Sequence, residues 1–239
     1  EERLMSGPQR YLEDQGIAIA QGRVVGTSCI NKFGATGAAV TINTETTIWD
    51  GSNTTALYPY PTAGVAAVTA NTTDDGEVVV VEGLDADYNL RSTTIPVGAA
   101  SPVVFSRIFR AFMESTPNGA DVDITIGGAL AARIKAGFNQ TEMGVYTIPA
   151  GKTGFLLKIH GSSDRSAGSP AVQFFLKKRG VNESLFRIKG TYGTAGGNQF
   201  DYEYPVPIMI PEKTDIQVNA KATSTTKISC IFDIILVDN

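Results

Sequence analysis

The chain has 239 residues, average apolar content and a formal net charge of only −4, so it carries no basic field for nucleic acid or an anionic membrane surface. No run approaches the roughly 20 apolar residues of a membrane-spanning helix, and the charged opening EERLMSGPQRYLEDQG does not read as a secretory signal. Two cysteines at opposite ends, Cys29 and Cys230, exclude a disulfide scaffold and any cysteine-paired metal or redox motif.

Residues 1–34 come first and lack local strand partners, since IAIA and RVVG are short and punctuated by glycine. They read as an extended N-terminal arm. Ordering such a segment costs about 1 to 2 kcal/mol of backbone entropy per residue. Its apolar residues Leu4, Tyr11, Leu12, Ile17, Ile19, Val24 and Val25 are therefore expected to lie along another subunit or to add a strand to its sheet edge.

Strand grammar follows: short apolar runs rich in Val and Thr end repeatedly in Gly, Pro, Asn or Asp. Predicted strands are 77–84, 101–109, 121–127, 154–161, 171–179, 184–192, 215–222 and 227–237, with one short helix expected in GALAARIKAG at 128–137. Three similar segments, TTIPVGAASPVVF, YTIPAGKTGFLLK and IMIPEKTDIQVNA, each read strand, Ile-Pro, turn, strand, because proline has no N–H for a ladder and sits where a strand ends. The spacing predicts an all-β fold of two tandem antiparallel β-sandwich, jelly-roll-like domains, one over 35–145 and one over 146–239.

Each chemical motif has a structural counterpart that outweighs it. Asp85, Asp87 and Asn89 in GLDADYN match the first half of a calcium loop, but Leu90 and Pro96 stand where that loop needs Gly and Glu, so a tight turn is expected. His160, the only histidine, adjoins Ser162, Ser163 and Asp164, whereas a triad converges from separate parts of a fold. Asp121 and Asp123 alternate with Val122, Ile124 and Ile126 as a solvent-facing pair would, and Asp201 with Glu203 repeats that spacing. Trp49, closing a strand before Asp-Gly, reads as a core anchor rather than as a sugar platform with Tyr58 and Tyr60. Cys230 shares a period-two face with Ile228, Phe232, Ile234 and Leu236 and reads as a small buried hydrophobe. No catalytic residue, metal or cofactor is expected. Ile235 and Val237 make the last strand apolar on both faces, which calls for a covering layer from the other domain or from another subunit.

INKFG (30–34), TIWDG (47–51), GLDADYN (83–89), DITIGG (123–128) and QTEMGVYTIPAGKTGFL (140–156) together resemble virion structural proteins of tailed bacteriophages of marine and cyanobacterial type. The resemblance covers most of residues 30–160 and implies a non-enzymatic particle component: capsid decoration, head completion or tail-associated. It implies partners among major capsid, neck or tail subunits, homo-oligomerisation, and assembly into the virion in the host cytoplasm. A carbohydrate-binding sandwich on a host-recognition fibre is the alternative.

Overall fold

The computed structural model describes residues 16–70, 76–164, 170–196 and 198–239. The fold is nearly all β, with antiparallel pairing in several sheets. In chain order the strands are β1 (Thr27–Ala35), β2 (Thr46–Thr47), β3 (Gly64–Thr69), β4 (Val78–Leu84), β5 (Leu90–Pro96), β6 (Ala100–Phe105), β7 (Arg107–Met113) and β8 (Val122–Ile126). They continue with β9 (Ala129–Ile134), β10 (Val145–Thr147), β11 (Lys152–Ser163), β12 (Ala171–Arg179), β13 (Arg187–Ala195), β14 (Gln199–Ile210), β15 (Asp215–Ala222) and β16 (Ile228–Asp238).

Two sheets, β1-β16-β11-β14 and β10-β15-β12-β13 with β2 beside β15, face each other over a core that includes Leu156, Ile159, Phe174, Val218, Phe232 and Ile234. Two others, β6-β3-β8-β9 and β5-β4-β7, enclose a second core with Val79, Val81, Ile95, Phe105, Ile124 and Ile134. Alternation explains the assignment. Val122, Ile124 and Ile126 are buried while Asp123 faces out to bind Arg133 at 2.5 Å.

The two cores are nested along the chain rather than consecutive. β1 and β2 pair with β16 and β15, so the N-terminal segment completes the C-terminal sheets and strands β3–β9 form an insertion between them. The chain leaves the outer unit at Trp49 and returns at Met143, where the two residues form an antiparallel bridge. The expected boundary at 34/35 is corrected accordingly, because pairing with distant β16 was invisible to local pattern, whereas 145/146 falls between Val145 of the inserted core and Tyr146 of the other.

The arm is corrected over its described part. Residues 16–20 are helical, with Gln21 N–H donating to the Ile17 carbonyl at 2.9 Å, and Thr27–Ala35 is a fully paired strand. Residues 1–15, with Leu4, Tyr11 and Leu12, lie outside the described residues. The helix expected in 128–137 is instead β9. Gly127 and Gly128, at φ +58° and +82°, make the two-residue hairpin that pairs Ile126 with Ala129, a geometry that needs positive φ at both positions. The run 101–109 is two strands, since Ser106 donates its N–H to the Leu84 carbonyl at 2.8 Å at the corner where the chain changes sheet. Each Ile-Pro segment does end a strand before a turn, at β5–β6, β10–β11 and β14–β15.

Candidate protein interface

β16 presents two apolar faces. Ile228, Cys230, Phe232, Ile234 and Leu236 are buried in the core with Leu156 and Phe174, which leaves Ile231, Ile235 and Val237 on the opposite face of the sheet. Register extends that face sideways. Ile235 stands opposite Cys29 of β1 and Phe155 of β11, and Phe155 stands opposite Met209 of β14. Residues directly opposite in an antiparallel ladder share a face, so Cys29, Ile235, Phe155 and Met209 form one apolar row across all four strands. Val237 lies in the next row between Thr27 and Thr153. Met209 is 60% exposed and Ile231 40%.

One border of this row is charged. Lys158 lies 3.0 Å from Asp201 and 3.9 Å from Glu203, and its hydrogen bond to Asp201, with both carboxylates nearby, holds the ammonium above the usual lysine range. An apolar strip bounded by polar groups is the layout of an interface centre and its rim. The adjoining edge is blunted. Tyr204–Pro207 bulge away from β11 between the pairs Leu156–Ile208 and Lys158–Glu203, and Pro205 and Pro207 have no N–H to offer. Such an edge resists strand addition.

Of the residues expected at an interface, Ile235 and Val237 lie on this face. Val25, 97% exposed, adjoins the same end of β16, where the Gly26 carbonyl accepts the Asp238 N–H at 2.8 Å. Ile17, Ile19 and Val24 sit on the helical segment and the turn after it, outside the sheet. Cys29, Phe155 and Met209 were missed. The signal was present, because Phe155-Leu156-Leu157 and Ile208-Met209-Ile210 are apolar at consecutive positions just as Ile234–Val237 is.

Among the residues with catalytic or ligand-binding potential, Ser163 is buried with its hydroxyl unpartnered among the described residues, and others have partners within the fold. Ser162 Oγ is hydrogen-bonded to Ser229 Oγ at 2.6 Å, His160 stands opposite Asp201 and Ile231 in the sheet, and Asp164 donates its N–H to the Lys227 carbonyl at 3.0 Å. GLDADYN is a hairpin turn in which Asp85 Oδ1 accepts the N–H groups of Asp87 and Asn89, both at 2.9 Å, with Tyr88 at φ +68°. Trp49 is fully buried, edge-on to Tyr58 at 5.1 Å, and donates Nε1–H to the Thr55 carbonyl at 3.2 Å. It therefore anchors the core and has no face free for a sugar. No protein-family model matches this chain, and no curated protein or solved structure is similar to it.

Proposed function

We propose that this chain is a non-enzymatic structural component of a tailed-phage virion, a capsid-decoration, head-completion or tail-associated protein that self-associates and binds capsid, neck or tail subunits. The observation that carries this reading is the row Cys29–Ile235–Phe155–Met209 on the outward face of a sheet whose other face is already packed. Strand order supports it. We read the sheets ordered β1-β16-β11-β14 and β10-β15-β12-β13 as the two layers of a jelly roll, between which the chain crosses repeatedly except at the β12–β13 hairpin, with β3–β9 inserted between β2 and β10. Mass spectrometry of purified particles from the encoding phage tests the location: the chain should be present in fixed copy number, and its absence from particles while abundant in the lysate overturns the reading. M209K, at an exposed position, should change stability by less than about 0.5 kcal/mol while lowering incorporation into particles and self-association in sedimentation.

A second reading, a carbohydrate-binding module of a host-recognition fibre, is favoured by an aromatic ledge on β13 and β14. Tyr192 and Phe200 are stacked with centroids 4.8 Å apart, and Tyr202, 43% exposed, lies 5.0 Å from Tyr204. Exposed rings of this kind suit sugar faces. A glycan array separates the two, since a fibre module retains a defined sugar and loses it on Tyr202→Ala, and a cement protein retains none.

A further inference from the structure

A cleft of about 340 Å³ lies between β1 and the β4–β7 side of the inserted unit, within the range of about 300 to 1,000 Å³ typical of small-molecule sites. Its apolar walls are Ile30, Phe33, Phe109 and Tyr146, with the last two rings 5.1 Å apart. Two polar groups in it are under-used. Tyr146 is 2% exposed and its hydroxyl has no hydrogen-bond partner among the described residues, a destabilising condition for a buried O–H. Lys32 is 8% exposed, and its ammonium, which has three N–H groups, donates to the Phe109 carbonyl.

The charges around Lys32 decide what would fit. Arg110 of β7 is occupied by Glu82 of β4 at 3.4 Å and by the Phe112 ring at 4.6 Å. Asp50 accepts the Glu142 N–H, and burial raises its pKa to about 8. The Cys230 thiol of β16 is pushed up by burial to about 12 and stays neutral. Among the described residues, Lys32 is thus the one cation on the cleft wall not matched by an anion, which suits a single negative charge and not a phosphate dianion. We propose that this cleft binds a small monocarboxylate carrying an apolar ring, with the carboxylate between Lys32 Nζ and the Tyr146 hydroxyl and the ring against Ile30, Phe33 and Phe109.

Phenylacetate, titrated into the full chain, is the probe, with 2-phenylethanol as its uncharged counterpart. Calorimetry should give saturable binding tighter than about 1 mM, and the alcohol should bind at least about tenfold more weakly. Cys29 lines the cleft and is exposed whereas Cys230 is buried, so alkylation of Cys29 by iodoacetamide should slow as the probe saturates. Burial lowers the Lys32 pKa to about 7, and a carboxylate needs the ammonium form, so affinity should be about tenfold weaker at about pH 8 than at about pH 6. Y146F removes a buried hydroxyl that has no partner among the described residues and should fold at least as well as the parent, whereas K32M also takes the donor from the Phe109 carbonyl, so its fold is checked by circular dichroism before binding is read. K32M should abolish measurable binding and Y146F should weaken it severalfold. Failure of phenylacetate to saturate at millimolar concentration, equal binding of the alcohol, or unchanged affinity in K32M would each overturn the assignment.

Discussion

Asp50 illustrates how one buried carboxyl sets a pH dependence. It is 1% exposed, accepts the Glu142 N–H and sits where the chain passes into the inserted unit. Burial, reinforced by the charge of Glu142, raises its pKa from 3.8 to about 8. Between those values the folded chain holds a proton that the unfolded chain has lost, so this group lowers stability as pH rises, by up to about 1.4 kcal/mol per unit. Lys32 acts oppositely above its folded pKa of about 7, because there the unfolded chain is the one that binds the proton. Asp50→Asn keeps an acceptor oxygen for Glu142 and removes the charge. Urea midpoints of the two proteins should therefore diverge from about pH 5 to about pH 8, with D50N the more stable at the upper end; parallel profiles would refute the assigned burial.

At the level of elements, closure of β1 depends on glycine for space. A Cβ at Gly34 would lie 2.2 Å from the Gly144 nitrogen and 2.7 Å from the Ile48 carbonyl oxygen, and Gly144 N–H itself donates to Ile48 at 2.8 Å. Three backbones meet there with no room for a methyl. Gly34→Ala should destabilise by more than about 4 kcal/mol, the size of effect reserved for a clash that only backbone movement can relieve. Gly193 in β13 is the control, since a Cβ there meets nothing nearer than 3.9 Å. Gly193→Ala should stay within about 1 kcal/mol of the parent and gain from reduced freedom of the unfolded chain. Equal effects at the two positions, measured by chemical denaturation, would contradict the packing described for β1.

For the molecule as a whole, the question is what makes two cores behave as one. Asp215 of β15, 3% exposed, accepts from Arg107 of the inserted unit at 2.9 Å, from Arg179 of β12 at 2.6 Å and from Thr147 of β10 at 2.7 Å. Both guanidinium groups also stack on the Tyr60 ring, at 5.2 and 4.7 Å. This cluster and the Trp49–Met143 bridge join the two units. Arg107→Ala removes one of the two guanidinium partners of Asp215 while Arg179 and Thr147 stay in place, and should cost about 1.5 to 3 kcal/mol, the range for hydrogen bonds to a charged group. The parent should melt in one calorimetric transition and R107A in two, with the inserted unit first. A single transition in the variant would show that the apolar contact between the units couples them unaided.

The all-β character, the strand-turn positions of the three Ile-Pro segments, the burial of Trp49 and Cys230 and the turn at GLDADYN were all legible in the sequence, because each is set by period-two alternation or by the local preferences of Pro, Asp and Asn. So was the two-faced apolar pattern of Ile235 and Val237. Nesting was not legible, since the pairing of β1 with β16 joins residues some two hundred positions apart and no local pattern specifies a distant partner. β9 was misread because Ala-rich sequence favours helix, and the Gly127-Gly128 hairpin overrides that preference by presenting the segment to β8 as a ladder. Likewise the row Cys29–Ile235–Phe155–Met209 and the cleft around Lys32 and Tyr146 exist only once four strands are in register and the inserted unit is folded against β1. Sequence fixes which way a side chain alternates along its own strand, whereas only tertiary structure decides what stands beside it.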